Sequence, residues 1–257
     1  MAGFWAKIGA SNFTVMKQLA LDFASPPQPT LDNFVAGLNG ELLGNLKRLA
    51  AGNARERCFF LWGRPGCGRS HLLRATVAAL RSEGAAATYL ACAAGSCIEA
   101  GLERMDCVAL DDVDRLEAEG QVAAFDLYNA LSEHGGVVLA SAGEPPAQLK
   151  LREDLATRLA WGLVYQVHAL TDENKAQALA DRAASRGFQL APEVSDYLLT
   201  RARRDLPTLL ATLDALDRYS LETRRPVTVP LARELLHAAG RQDAGSRTGD
   251  AAAGARD

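Results

Sequence analysis

Residues 63–70 read GRPGCGRS, and no other stretch limits the fold of this chain as tightly. Three glycines in six positions are costly inside a regular strand or helix, because glycine loses the most backbone freedom on folding. Yet the stretch sits between CFFLW, an apolar run of strand length, and a helical pattern over 70–81. A strand, a glycine-rich turn and a helix in direct succession leave backbone N–H groups facing outward beside the positive end of a helix. That arrangement suits phosphate oxygens. Gly63, Gly66 and Gly68 supply the turn, and Arg64, Pro65, Cys67, Arg69, Ser70 and His71 complete the expected nucleotide-binding set. Ser70 is placed to offer its hydroxyl to Mg²⁺. The competing reading is a strand–helix turn that holds no ligand.

The loop has one unusual letter. Arg69 occupies the position where such loops carry lysine. Lysine is a compact point charge, whereas arginine is a broad planar fork that does not fill the same small space beside the phosphates. Arginine supplies 23 of the 28 basic residues, so general drift toward arginine explains its presence. Drift does not preserve fast hydrolysis. The expectation is a nucleotide-binding chain, ADP or ATP with Mg²⁺, that has weak or no ATPase activity of its own and ADP as the resident ligand.

A second motif supports the first. VALDDV is an apolar strand ending in two carboxylates. Asp111 is expected to hold Mg²⁺ and Asp112 to take the place of the residue that orients water, although paired aspartates also occur as solvated strand ends. Further strand-like runs are ATYLAC, GVVLASAG and LVYQVHAL, with helical stretches at GELLGNLKRLAAG, QVAAFDLYNALSEH and REDLATRLAW. Buried strands separated by helices imply an α/β fold: a mostly parallel, five-stranded sheet flanked by helices. From Thr171 onward only helical patterns appear, with Pro192, Pro207 and Pro230 at helix starts and Gly187 at a stop. The expected organisation is a leader over 1–30, an α/β domain over 31–170, a small all-α lid over 171–240 and a polar, disordered tail over 241–257. Residues 1–15 show no leader peptide pattern, and Met16 opens a more familiar beginning, MKQLALDF.

Composition removes several function classes. No apolar run approaches the ~20 residues that span a bilayer. A net charge of −3 gives no global footprint for nucleic acid. The five cysteines form no C-x-x-C pair, and the four histidines lack metal-ligand spacing, so buried free thiols and a cytoplasmic location are expected.

The motifs converge on a family. A loop-bearing sheet domain with a helical lid has the outline of an AAA+ module, and TLDNFVAGLNGELL with FFLWGRPGCGRSHLLRA resembles the replication initiator DnaA. FDLYNAL, GEPPAQL, DLATRLAWG, RAASRGFQL and RPVTVPLARELL then make residues 16–240 similar to the regulatory inactivator of DnaA, the Hda family. An arginine at the loop position is itself a feature of that family.

The resemblance implies a negative regulator of replication initiation. An N-terminal peptide would dock on the DNA polymerase III sliding clamp (its beta subunit), matched here by QLALDF with Gln18, Leu19, Leu21 and Phe23. An extended peptide of this kind puts alternate apolar side chains into a groove. An arginine finger would act in trans on DnaA, matched by Arg158 in LATRL, and DNA would be met only through the clamp. The first sensor position falls on Ser141. Pro207 stands where a sensor arginine is expected, leaving Arg204 or its neighbour Arg203 to reach in from the preceding turn. Self-association into a homo-oligomer is left open. The alternative reading is an AAA+ helicase loader or transposition helper acting on DNA, which would call for an ordinary loop lysine and a local basic surface.

Overall fold

The computed structural model describes residues 28–202 and 205–238. Five strands form one sheet: β1 (Cys58–Trp62), β2 (Ala87–Ala91), β3 (Cys107–Asp111), β4 (Val137–Ala142) and β5 (Leu163–Gln166). Their order is β2-β3-β4-β1-β5, and every neighbouring pair is parallel. Parallel neighbours require crossovers, and helices supply most of them. Helices α2 (Arg69–Ser82), α3 (Ala118–Glu133) and α4 (Glu153–Ala160) link β1 to β2, β3 to β4 and β4 to β5. The β2–β3 connection holds only a short 3-10 turn (Leu102–Arg104), and α1 (Gly40–Ala50) precedes β1.

The strands are apolar on both sides because both faces are covered. Phe59, Leu61, Ala109 and Leu139 pack with Leu42, Leu46, Leu72 and Leu73 of α1 and α2. Their immediate neighbours Phe60, Val108, Leu110, Val138 and Ala140 point the other way, onto Leu127 and Leu131 of α3 and Leu155 and Leu159 of α4. The two-residue period of a strand thus divides one apolar run between two cores. Each fully buried leucine or phenylalanine contributes about 1.5–3 kcal/mol. The exposed ion pairs contribute about 0–1 kcal/mol each, so burial decides the fold.

Two local features set where this domain ends. Gly162 follows α4, and a Cβ there would collide with the Cys58 carbonyl, so only glycine lets the chain turn from α4 straight into β5. Beyond β5, the Asn39 side chain grips the backbone of His168, donating to its carbonyl at 2.9 Å and accepting its N–H at 2.7 Å.

The remaining described elements are helices: α5 (Asp172–Ser185), α6 (Pro192–Arg201), α7 (Leu206–Thr223) and a fourth helical run over residues 229–238. Thr171 caps α5 by accepting the Asn174 N–H, and Asp205 caps α7 by accepting the Thr208 N–H. Proline opens α6 and lies in the first turn of α7, where its missing N–H costs nothing. Leu179, Leu198, Leu209, Leu213, Leu216 and Leu231 form a separate buried core for these helices. Arg182 of α5 and Arg186, which follows that helix, pair with Asp214 and Asp217 of α7 along its edge. Among the described residues, no helix is long and apolar enough to cross a membrane.

Candidate functional site

The glycine-rich loop leaves β1 at Trp62, and each of its glycines answers a different demand. A Cβ on Gly63 would approach the Val167 carbonyl oxygen to 2.6 Å, because the chain leaving β5 donates the Val167 N–H to the Trp62 carbonyl. Gly68 is left-handed, with φ 108°, and a Cβ there would meet the Phe34 ring at 2.8 Å. Gly66 is also left-handed, at φ 80°, but nothing lies within 4 Å of its Cβ position. The first two are therefore held by packing, while the third presents its backbone to open space. Helix α2 starts at Arg69 with no side chain capping its N-terminus. Its first N–H groups remain available at the positive end of the helix dipole.

Arg69 is buried, at 9% exposure. One guanidinium nitrogen, Nη2, pairs with Asp112 Oδ1 at 3.0 Å, and the other, Nη1, is buried with no hydrogen-bond partner. An orphaned cationic donor of this kind is costly unless an acceptor fills it. Together with the uncapped helix start and the open face at Gly66, it makes the loop fit a phosphate group. Cys67 is buried under the loop; burial pushes its thiol up, partly opposed by Arg69, and it serves as packing.

Arg69 also ties the loop to a strand that is not its neighbour. β4 separates β1 from β3, so the carboxylates at the end of β3 reach the loop only across the β4 terminus. Ser141 of β4 fills that gap. Its hydroxyl donates to Asp111 Oδ1 and accepts the Asp112 N–H at 2.9 Å. Asp111 Oδ2 accepts the Tyr89 hydroxyl at 2.6 Å from β2. Arg74 supports Tyr89, donating to its oxygen at 3.1 Å with the guanidinium carbon 4.6 Å from the ring centroid. Burial and the hydrogen bond to Asp111 push the Tyr89 phenol up to about 12. Asp112 adopts a left-handed backbone, φ 57° and ψ 53°, unusual for a side chain larger than glycine. Burial holds its carboxyl above the usual range against the pull of Arg69, and Asp111 and Asp114 push the same way as burial.

Arg69, Asp111, Asp112 and Ser141 are thus gathered into one bonded cluster, with Ser70 next to Arg69 in the first turn of α2. Of the two residues expected to hold a divalent cation, Asp111 accepts hydroxyls from Ser141 and Tyr89, and Ser70 stands in the first turn of α2. Among the described residues no three His, Cys, Asp or Glu side chains form a metal cluster, so a cation here would rely on phosphate oxygens and water for most of its shell. His71 lies on the opposite flank. Its Nε2 donates to the Thr30 carbonyl at 3.0 Å, and its ring packs on Phe34 with centroids 5.5 Å apart. Residues 30–34 are held against the loop by these contacts.

Tyr89, Arg74 and Phe34 escaped the sequence reading. No motif marks them, because their roles depend on which strand lies beside β3 and on a segment 34 residues before Gly68 folding over it. The tyrosine at the centre of the ATYLA strand is the one local signal the sequence offers for Tyr89.

Arg158 lies apart from this cluster, on α4. Its guanidinium carbon sits 4.3 Å from the Trp161 ring centroid and 5.9 Å from that of Phe125. The nearby Asp154 is engaged by Arg152, at 2.7 Å and 3.2 Å. Arg158 is half-buried and makes no ion pair among the described residues. Gln18, Leu19, Leu21, Phe23, Arg203 and Arg204 lie outside the described residues.

Comparison with known proteins gives two matches that divide the chain between them. Residues 26–166 match the family described as bacterial DnaA ATPase domain, and residues 172–236 match that described as Hda, lid domain. Among solved structures, domain III of the Thermotoga maritima replication initiation protein DnaA is similar with a TM-score of 0.64 and 20% identity. That match covers 82% of this chain and 96% of the other. AMPPCP-bound DnaA from Aquifex aeolicus has a TM-score of 0.61 and 19% identity, over 77% of this chain and 70% of that one. A RuvB mutant from Thermotoga maritima has a TM-score of 0.58 and 13% identity, over 81% and 72%. The chain spans about two thirds of the length of the first initiators it matches. At such identities the solved structures establish the fold: an AAA+ module followed by a helical lid.

Proposed function

The chain belongs to the DnaA-related Hda family, and from that premise we propose that it is a nucleotide-bound adaptor that restrains replication initiation by making the initiator DnaA hydrolyse its own ATP. In this reading its loop stores a nucleotide, ADP in preference to ATP, and performs little chemistry. The observation that carries it is the contrast between two arginines. Arg69 is buried and engaged with Asp112, whereas Arg158 is half-buried, stacks on Trp161 and makes no ion pair among the described residues.

The charges explain the contrast. A motor needs its second carboxylate free to orient water, and here that carboxylate is paired with the loop cation. Bound nucleotide would place phosphate oxygens against the loop N–H groups and the unfilled Arg69 Nη1, with Ser70 and Asp111 holding Mg²⁺. Arg158 offers what the initiator's site lacks. A guanidinium brought to the γ-phosphate stabilises charge that develops in the transition state, an effect on the order of 10³–10⁵ in rate.

Position would come from the QLALDF peptide, docked on the DNA-loaded clamp in the cytoplasm. The deciding experiment mixes the protein with clamp on DNA and labelled ATP-bound DnaA. Arg158→Ala should retain clamp binding and lose stimulated hydrolysis, while Gln18→Ala with Leu21→Ala should lose clamp capture. Brisk ATP turnover by the isolated protein would instead favour a motor.

A further inference from the structure

Resting on the adaptor reading, we propose that Trp161 is the positioning residue for Arg158: its exposed indole face holds the guanidinium extended and aimed before any partner arrives. Trp161 is 64% exposed, a large apolar surface that the core does not use. Its place is fixed by the backbone. It caps α4, donating its N–H to the Arg158 carbonyl at 3.2 Å, and it precedes Gly162, which has no room to move against Cys58. The ring is therefore anchored to a rigid turn, three residues beyond the arginine it supports, which is the spacing of neighbours on one helix face.

A long arginine side chain at a surface has many rotamers, and ordering it on contact costs free energy. A fixed aromatic face removes part of that cost through cation–π attraction while leaving the fork of N–H donors unused. A carboxylate would order the side chain equally well but would fill those donors. Of the two carboxylates that line this groove, Asp154 is occupied by Arg152 and Glu153 forms no ion pair with Arg158. Phe125 of α3 borders the same groove at a greater distance from the guanidinium. The surroundings thus hold the charge in place without neutralising it.

Stimulated hydrolysis separates positioning from adhesion. The full chain is titrated into ATP-bound initiator with clamp on DNA, comparing wild type, Trp161→Ala, Trp161→Leu, Trp161→Phe and Arg158→Ala. Positioning predicts that Trp161→Ala and Trp161→Leu lower the maximal rate at saturation by roughly three- to fivefold, with the half-saturating concentration unchanged within about twofold. Trp161→Phe, which keeps a ring face, should recover at least half of the wild-type maximum. Leucine keeps apolar volume without a ring, so the Leu–Phe contrast holds even where alanine disturbs folding. Wild-type maximal rate in Trp161→Leu, or a shift confined to the half-saturating concentration, would overturn the assignment while the loss in Arg158→Ala left the adaptor reading intact. Full stimulation by Arg158→Ala would remove that reading, and this assignment with it.

Discussion

Arg69 Nη2 lies 3.0 Å from Asp112 Oδ1, so the cation of the glycine-rich loop and the second carboxylate of the acidic strand are partners of each other. The pair spans β4 and joins two strands that are not adjacent in the sheet. It satisfies one end of the guanidinium and leaves Nη1 unfilled. Arg69→Ala should therefore weaken binding of a fluorescent ADP analogue by about tenfold or more, the range for hydrogen bonds to a charged group. Arg69→Lys should bind better than alanine, since the charge remains, but below wild type, since one ammonium cannot span both partners. Equal affinity for all three proteins would place the phosphate elsewhere.

The strand–helix alternation was legible because burial writes itself into sequence as apolar runs such as CFFLW and CVALD, each feeding two cores. Proline and glycine marked the helix limits for equally local reasons, as at Pro192 and Gly187. The cluster around Asp111 was only half legible. Its aspartates and Ser141 stand at strand ends and can be read one at a time, but Tyr89 joins them only through the order β2-β3-β4, which no local pattern encodes. The same holds for Phe34 over Gly68, a contact made by chain return across 34 positions.

Removing either hydroxyl donor to Asp111 should show in stability before it shows in chemistry. Asp111 is 4% exposed, and its two oxygens accept from Ser141 and Tyr89. Tyr89→Phe leaves a buried carboxylate oxygen one donor short, at a cost of about 1–3 kcal/mol. Ser141→Ala removes a donor to Asp111 and the acceptor of the Asp112 N–H together, so it should be the more damaging of the two. Urea titration measures both. A Ser141→Ala midpoint above that of Tyr89→Phe would contradict the geometry.

His71 gives the loop a pH dependence of definite sign. Burial, opposed by the contact with the Thr30 carbonyl, holds its imidazole below the usual value. Protonation is then harder in the folded chain than in the unfolded one. The contribution of His71 is complete above about pH 6.5 and is lost as pH falls through the lowered value. Asp112 acts in the opposite direction: its raised carboxyl favours the folded chain at acid pH, and that contribution is lost as pH rises through the raised value. The difference between wild type and His71→Gln isolates the imidazole. The wild-type melting temperature should fall further than that of His71→Gln between pH 7.5 and 5.0, and parallel curves would exclude His71.

Two glycines should respond to alanine in opposite ways. Gly162 has no space, because its Cβ would strike the Cys58 carbonyl, a backbone atom of the interior strand β1. Relief requires moving α4 or β5, so Gly162→Ala should destabilise the protein by about 3 kcal/mol or more, at the severe end of single substitutions. Gly66 has space but a left-handed backbone, so Gly66→Ala should cost only about 1–2 kcal/mol and leave a folded protein. Its new methyl group, however, would project into the open face where the loop presents its N–H groups. Gly66→Ala should then melt within a few degrees of wild type yet bind the ADP analogue at least about tenfold more weakly. Gly162→Ala should melt far lower, and any fraction that remains folded should bind with near-normal affinity, since its side chain is remote from the loop. Normal ADP affinity in Gly66→Ala would show that the open face at Gly66 is not where phosphate rests.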